Sequence, residues 1–237
     1  MKIHQFIRWV LVIANLAALP VLTKAQSLVD SGDSSGAVAA TTSARLELTY
    51  TRPTQKAKIY HYLFDAFGPY PIASSAITAG IGQASHSRLE WRQGAEGYSR
   101  RLTSDFAIAA VGTTTRYALS EAFKEDALYY RCECKNVLPR LSHAVISTLT
   151  ARRGEDGHRV FSIPALVAPY AGTMTAVYGW YPRRYRARDA LRMGNYDMLE
   201  YVGANISLEF LSSAPHSLRT RMHLNNGHGA PNPGLEP

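Results

Sequence analysis

Residues 91–106 read WRQGAEGYSRRLTSDF and predict the tightly packed start of a long helix. Tyr98, Leu102 and Phe106 follow one another at intervals of four, so their side chains lie on one face of an α-helix. The alanines that follow extend the apolar pattern, and we expect the helix to cover about 95–123. Helical spacing of this kind dominates the rest of the packed domain as well.

The two glycines of this stretch have a structural interpretation and a functional one. Gly94 and Gly97 lie where the helix begins, and a bulkier side chain there would obstruct a neighbouring segment. Glu96 falls in the first turn, where a negative charge favours the helix dipole, whereas Arg100 and Arg101 point to other faces. We expect tight packing, with ligand binding as the alternative. The candidate binding residues of this stretch are Trp91, Glu96, Tyr98, Arg100 and Arg101.

Prolines and apolar spacing predict further helices, which begin at about Thr54, Pro71, Pro139, Pro164 and Asp189. The second is rich in small residues, and Ala76 and Gly80 have the spacing that lets another backbone approach closely. Pro169 should kink or shift the fourth. Residues 201–211 fit a strand or a helix, of which we prefer the helix, and residues 45–52 fit one short strand. The sequence therefore predicts an all-α single domain, with that strand as its one exception.

Composition divides the chain into four parts. Residues 1–25 combine a basic start, an apolar run and small residues before position 25, which is typical of a cleaved export signal, with an uncleaved anchor as the alternative. Residues 26–44 are small and polar and predict a flexible linker. Residues 45–218 carry the helical domain, and residues 219–237 are turn-rich and predict a disordered tail. We therefore expect an exported protein of the periplasm or outer membrane.

Removal of the leader would lower the net charge. The sequence has 26 basic and 18 acidic residues, and Lys2, Arg8 and Lys24 would leave with the leader. The remaining 23 basic and 18 acidic residues give +5 instead of +8. This mild positive charge suits acidic lipid headgroups or envelope polysaccharide, whereas export argues against nucleic acid as a partner.

Residues 183–188 read RRYRAR and form a strongly basic segment. One interpretation is a solvated basic face. The other is a contact with phosphate headgroups, in which Trp180 and Tyr185 would lie at the interface. The candidate binding residues of this segment are Trp180, Arg183 and Arg184.

Motifs for common catalytic chemistry are absent from the sequence. It has no G-x-S-x-G, P-loop, dinucleotide-binding or C-x-x-C pattern. His61 and Asp65 are four apart on a predicted helix, as are His86 and Glu90, but neither pair has a third ligand at metal-binding spacing. We interpret both as surface ion pairs, and we predict no catalytic residue, cofactor or metal site.

Cys132 and Cys134 are the two cysteines of the chain. One residue between them closes a very small ring, and a disulfide needs its Cβ atoms about 3.8 Å apart. The closest histidine in sequence is His143, so a metal site would need ligands from elsewhere. We expect two unpaired thiols, with a local disulfide as the alternative.

Five segments resemble, in the same order, those of a family of uncharacterised exported bacterial proteins. They are EWRQGAEGYSRR, EDALYYR, LSHAVISTLTAR, GTMTAVYGWYP and NISLEF. The family pattern for the first is E-W-x-Q-G-x-E-G-Y-x-x-R, and the likeness covers most of residues 55–211. This chain departs at Ala127, where the family has Pro, and at Pro164 and Pro169, where it has none. The resemblance implies an all-helical, envelope-associated protein, and it supplies no activity and no catalytic residue.

Two functions fit these features. The first is a non-enzymatic helical protein of the cell envelope that associates with a membrane, as the leader, the small-residue helices and the aromatic and arginine residues near the C-terminus suggest. The second is an exported hydrolase of lipid or cell-wall material. Its sign would be a cleft that gathers a serine, a histidine and a carboxylate. His143, His158 and the many serines keep that alternative open.

Overall fold

The computed structural model describes residues 50–211 and 226–231, of which 67% are helical and 8% lie in strands. The α-helices are α1 Gln55–Phe67, α2 Pro69–Ala84, α3 Gly94–Ala122, α4 Val137–Ile146, α5 Ile163–Gly179 and α6 Ala187–Leu211. The strands are β1 Glu125–Asp126, β2 Tyr130–Arg131, β3 Thr150–Arg153, β4 His158–Phe161 and β5 Ala230–Pro231. A predominantly helical fold is confirmed for this part of the chain, whereas the prediction of an all-α domain with one short strand at 45–52 is corrected, because five strands lie elsewhere among the described residues.

Local chemistry fixes where the first helices begin and end. The Thr54 hydroxyl accepts a hydrogen bond from the Ala57 N–H at 3.3 Å, as a helix cap does. Gly68 ends α1. Pro69 opens α2, and in the first turn of a helix the N–H that proline lacks would have no partner within the helix. The predicted start at Pro71 is therefore two residues late.

The central helix is α3, which packs against α2, α5 and α1. A Cβ atom on Gly172 of α5 would lie 2.4 Å from the carbonyl oxygen of Ile108, and one on Gly112 of α3 would lie 3.3 Å from that of Ala168. Close approach of backbones thus occurs between α3 and α5, whereas the prediction placed it at Ala76 and Gly80 of α2, and a Cβ atom on Gly80 would meet no atom within 4 Å. The core cluster near this crossing consists of Trp91, Ile108, Ala176, Val177, Tyr181 and Ala190.

Two uncertain helical segments prove to be helical. Pro169 lies inside α5, which is continuous from Ile163 to Gly179. The Ser162 hydroxyl caps this helix by accepting a hydrogen bond from the Ala165 N–H at 3.2 Å. Residues 201–211 belong to α6, so the preference for helix over strand is confirmed.

Two small sheets are the main departure from the all-α prediction. β3 and β4 form an antiparallel hairpin that pairs Thr150 with Phe161, and β1 adds to the other side of β3. The hairpin turn falls in ARRGEDGHR, where the sequence indicates a charged turn, and Gly154 and Gly157 adopt positive φ there. A second sheet pairs β2 with β5 in parallel.

Residues 226–231 are ordered against α1 and β2, unlike the disorder expected of the whole tail 219–237. Asn226 donates from Nδ2 to the carbonyl oxygen of His61 at 3.0 Å. The Gly229 N–H donates to the carbonyl oxygen of Tyr129 at 2.7 Å. These contacts could not be predicted, because a turn-rich composition carries no information about distant partners.

Several predictions concern residues that the structure does not describe, namely the leader 1–25, the linker 26–44, the end of the domain at 212–218 and the tail at 219–225 and 232–237. The predicted strand 45–52 is described only from Tyr50, and residues 50–54 have no regular secondary structure. Within the described ranges, no helix combines the length and the apolar character needed to cross a membrane.

Candidate functional site

The side chain of Arg101 is fully buried and organises the connection between α2 and α3. Its Nη1 donates to the Gln83 Oε1 at 2.8 Å and to the Arg92 carbonyl oxygen at 2.9 Å. Its Nε donates to the Ser87 carbonyl oxygen at 3.2 Å. Burial, and next the charge of Arg88, lower the pKa of Arg101. This corrects the expectation that Arg101 points away from the packed face.

Gly97 lies against this arginine, which explains why a glycine occupies the position. A Cβ atom there would lie 2.4 Å from the Arg92 carbonyl oxygen and 2.7 Å from that of Trp91. Trp91 is buried in the core, and the Tyr98 hydroxyl donates to the Ala76 carbonyl oxygen at 3.2 Å. These contacts of the motif are all internal.

Glu96 and Arg100 form an exposed ion pair one helical turn apart, with Oε1 and Nη2 at 2.7 Å. Their side chains are 65% and 55% exposed, and such pairs stabilise a helix by about 0.5 kcal/mol or less. The structure thus divides the candidate residues of this motif into buried packing residues and a solvated pair.

The candidate residues of the arginine segment are all exposed, although two of them have side-chain partners. Trp180 donates from Nε1 to the Ser104 hydroxyl at 2.9 Å. Arg184 pairs with Glu90, with Nε and Oε1 at 2.6 Å, so Glu90 has a partner other than the expected His86. Arg183 is exposed. A headgroup contact by this segment stays a prediction.

Two carboxyl groups on different helices face one arginine. Arg88 pairs with Asp105 of α3, with Nη2 and Oδ1 at 3.2 Å. On α6, burial raises the pKa of Asp197 to about 7, and the charges of Glu200 and Asp105 add to this rise. Burial also raises the pKa of Asp105, although Arg88 acts to lower it. Asp197 therefore takes up a proton near neutral pH. Sequence spacing indicates Glu200, three residues further along α6, but it reveals neither the burial nor the proximity of Asp105 on α3.

A buried network surrounds Glu209 of α6, whose side chain is fully shielded from solvent. Its carboxylate accepts hydrogen bonds from the Cys132 N–H at 3.0 Å, the Tyr129 hydroxyl at 2.5 Å and the Arg140 Nε at 3.2 Å. Burial, and next the hydrogen bond to Glu209, raise the pKa of Tyr129. The network fastens α6 to α4 and to the segment around β2.

Ser147, His143 and Glu209 resemble a hydrolase triad in composition but not in geometry. The Ser147 hydroxyl lies 3.4 Å from His143 Nε2, and Glu209 Oε2 lies 3.7 Å from His143 Nδ1. The guanidinium of Arg159 also contacts Nε2, so this nitrogen is engaged by a cation and is poorly placed to take a proton from a serine. None of the three residues lines the cavity described below.

Cys132 and Cys134 form a disulfide, which corrects the expectation of two unpaired thiols. Their Cα atoms lie 5.2 Å apart, within the ordinary range for disulfides. The expectation was wrong because it gave weight to the small ring, and a short ring still permits ordinary Cα spacing.

A cavity of about 320 Å³ lies between α1, α3 and the segment that contains β1. The rings of Tyr62 and Tyr117, with centroids 5.7 Å apart, contribute to its lining, as does Ile59. Lys58 and Glu121 also line the cavity and pair with each other at 2.6 Å.

His61 and Asp65 bind the C-terminal segment instead of pairing with each other. His61 Nδ1 lies 3.0 Å from Asn226 Oδ1, and Asn226 Nδ2 donates to Asp65 Oδ1 at 2.7 Å. His228 and the Tyr117 hydroxyl both reach Asp65 Oδ2. Burial acts to raise the pKa of Asp65, but these partners together hold it below its ordinary value. Among the described residues, no group of three His, Cys, Asp or Glu side chains is arranged to hold a metal ion.

The outer face of α4 is apolar and exposed. We define the α4 face as Val137, Leu138, Leu141, Val145, Ile146 and Phe161. At about 100° per residue, its five helical members occupy one half of the helix circumference. Phe161 pairs across the hairpin with Thr150, whose hydroxyl donates to the Ile146 carbonyl oxygen at 3.1 Å. Leu138 is 75% exposed and Phe161 57%. Apolar spacing in the sequence places Leu138, Leu141 and Val145 on one stripe, but it gives no sign that these side chains face solvent.

Comparison with known proteins finds no matching family model, no matching curated protein and no matching solved structure. The resemblance of residues 90–101 to an exported bacterial family stays a prediction that rests on the motif itself. We therefore infer function from the side-chain geometry of this chain.

Proposed function

We propose that this chain is an exported, non-enzymatic helical protein that attaches peripherally to a membrane of the bacterial envelope. The observation that supports this proposal is the α4 face, where six large apolar side chains are exposed on one surface of the helix and its neighbouring hairpin. Exposed apolar patches of this kind mark sites of interaction with membranes or with other proteins. We commit to a membrane because the net charge and the basic segments favour an acidic lipid surface.

The geometry of α4 suits attachment parallel to a membrane surface. Its inward side carries the buried His143 and Ala144, so the helix is held to the domain while its apolar side remains available. Helices with one apolar face bind the interface between headgroups and acyl chains. Full burial of a Leu, Val, Ile or Phe side chain contributes roughly 1.5–3 kcal/mol, so even partial insertion of this face yields several kcal/mol.

Basic side chains would strengthen binding to acidic lipids. Lys135 is exposed just before the start of α4. Arg159 on β4 is also exposed, but its guanidinium contacts His143, so Lys135 is the basic residue that we assign to this surface. A basic residue close to an acidic membrane surface contributes about 1 kcal/mol, and this contribution falls with added salt.

Vesicle co-sedimentation tests this proposal directly. The protein is mixed with phosphatidylglycerol–phosphatidylethanolamine vesicles and, separately, with phosphatidylcholine vesicles. We expect stronger binding to the acidic vesicles. The double substitution Leu138→Ser and Val145→Ser should weaken binding at least about tenfold, since it removes more than 1.4 kcal/mol of apolar contact.

A matched control uses an apolar residue of similar exposure on another helix. Leu199 on α6 is 55% exposed, and Leu199→Ser should leave vesicle binding unchanged. Equal loss of binding in both variants would contradict a role for the α4 face. In cells, fractionation followed by a carbonate wash should release the protein from envelope membranes, and recovery only from the soluble periplasmic fraction would exclude membrane attachment.

The hydrolase alternative gains no support from the described residues. Its expected sign is a cleft with a serine, a histidine and a carboxylate, and the nearest set, around His143, has its Nε2 engaged by Arg159. A second cluster joins Ser162 to Glu125, but the Ser162 hydroxyl donates to that carboxylate and caps α5. We therefore propose a single function.

A further inference from the structure

The cavity between α1 and α3 has the size of a small-molecule site. Its volume of about 320 Å³ lies at the lower end of the range of roughly 300–1,000 Å³ that is typical of ligand pockets. Ile59, Tyr62, Tyr117, Ala118 and Leu128 supply much of its apolar lining. We propose that this cavity binds a small uncharged ligand with an aromatic or aliphatic body and one N–H or O–H donor.

Charged ligands are disfavoured because the charged groups that line the cavity have internal partners. Lys58 Nζ pairs with Glu121 Oε2 at 2.6 Å. Glu125 accepts hydrogen bonds from Arg153 at 2.7 Å and from the Ser162 hydroxyl at 2.5 Å. A ligand ion would have to displace one of these partners or lose its hydration without a counter-ion, and both are costly.

The Asp126 carboxylate also has internal hydrogen-bond partners. Its Oδ2 accepts hydrogen bonds from the Tyr50 hydroxyl at 3.0 Å and from the Tyr130 hydroxyl at 2.7 Å, and its Oδ1 accepts the Leu128 N–H at 3.0 Å. This carboxylate lines the cavity but has little acceptor capacity left for a cationic ligand.

His61 supplies a side-chain acceptor among the lining residues, because Asn226 fixes its tautomer. Asn226 Nδ2 donates to the His61 carbonyl oxygen at 3.0 Å and to Asp65 Oδ1 at 2.7 Å, so its Oδ1 must accept the Nδ1–H of His61. In a neutral imidazole, Nε2 is then an acceptor. Within the described ranges this atom has no hydrogen-bond partner, although His61 lines the cavity. A donor on the ligand would satisfy it.

The mouth of the cavity also favours an apolar occupant. Ile59 lines the cavity and is 59% exposed, so a ligand that contacts it would remove apolar surface from water. Tyr62 and Tyr117 present rings at an interplanar angle of 58°, and aromatic ligands can pack edge or face against such a pair.

Fluorescence titration with N-phenyl-1-naphthylamine tests the site, because this probe is uncharged, aromatic and carries one N–H. Ala118 is exposed on α3 and lines the cavity, so Ala118→Phe should fill the space and raise the Kd at least about tenfold. Ala122 is exposed one turn further along α3 and does not line the cavity, so Ala122→Phe is the matched control and should bind like the wild type. If Ala118→Phe lowers the melting temperature strongly, Thr114→Trp, at another exposed lining position, replaces it.

A second pair of measurements tests the hydrogen bond from the N–H of the probe to His61. His61→Phe should weaken N-phenyl-1-naphthylamine about two- to tenfold, as expected for one lost hydrogen bond. It should leave 1-benzylnaphthalene, which lacks the N–H, unchanged. Equal probe affinity in Ala118→Phe and Ala122→Phe would overturn the site. Tighter competitive binding of the anionic 8-anilino-1-naphthalenesulfonate would overturn the uncharged ligand class.

This inference does not depend on membrane attachment, and the two can fail separately. Ala118→Phe should bind acidic vesicles like the wild type. The double substitution Leu138→Ser and Val145→Ser should keep its affinity for N-phenyl-1-naphthylamine, since neither residue lines the cavity. Loss of probe binding in that variant would assign the probe to the α4 face and overturn the cavity site.

Discussion

Replacement of Asp197 by Asn should stabilise the protein at pH 8 far more than at pH 4. Burial, then the charges of Glu200 and Asp105, raise the pKa of Asp197 from its ordinary value of 3.8 to about 7 in the folded state. A carboxyl group whose pKa is higher in the folded protein binds its proton more tightly there, so the free energy of unfolding falls as the pH rises between these two values.

The size of the effect follows from the pKa difference. A pKa rise of about 3 contributes about 4 kcal/mol to the free energy of unfolding at low pH, and this contribution is lost by pH 8. Asn at position 197 has the shape of the protonated acid and no charge to bury, so Asp197→Asn escapes that loss. We expect the difference in unfolding free energy between variant and wild type to increase by about 4 kcal/mol from pH 4 to pH 8.

Urea unfolding followed by circular dichroism at pH 4, 6 and 8 measures this difference. Glu96→Gln is the control, because Glu96 is 65% exposed and its removal should change the unfolding free energy by less than about 0.5 kcal/mol at every pH. A pH-independent difference for Asp197→Asn, or a variant less stable than the wild type at pH 8, would refute the reasoning about burial.

Three further predictions concern packing and the disulfide. Gly97→Ala and Gly172→Ala should each lower the free energy of unfolding by about 1–3 kcal/mol in thermal or urea unfolding, because the added Cβ meets a carbonyl oxygen at 2.4 Å. Gly80→Ala, whose Cβ meets no atom within 4 Å, should instead raise it by up to about 1 kcal/mol. Reduction of the Cys132–Cys134 disulfide should lower it by only about 1.5 kcal/mol, because the closed loop is very short.

The long helices could be predicted because their signals are local. Thr54, Gly68 and the spacing of Tyr98, Leu102 and Phe106 are properties of adjacent turns, and α1 and α3 begin and end within a residue or two of the expected positions. Caps and periodicity act over one or two turns, so a single sequence is enough to read them.

The environment of each face could not be predicted in the same way. Hydrophobicity alone would predict an exposed Arg101 and a buried Leu138. In the structure Arg101 is fully buried and Leu138 is 75% exposed. Burial of the arginine is possible because backbone carbonyls of the α2–α3 connection surround its guanidinium. Those carbonyls come from a loop whose path no sequence pattern specifies.

The strands and the candidate cavity were missed because they depend on distant partners. β3 and β4 have four residues each and carry charged side chains, so they show no clear alternation. The tautomer of His61 depends on Asn226, and the pairing of β2 depends on β5 near the end of the chain. The turn-rich composition around Asn226 and β5 does not show which distant residues they contact.

The contact between His61 and Asn226 also constrains the order of assembly. These residues are 165 positions apart, so their hydrogen bond can form only after the segment that contains Asn226 has been synthesised. Contacts this distant form slowly, because closing a long loop costs conformational entropy before the contact can form. The first helix therefore lacks this support until Asn226 has been synthesised and the long loop has closed.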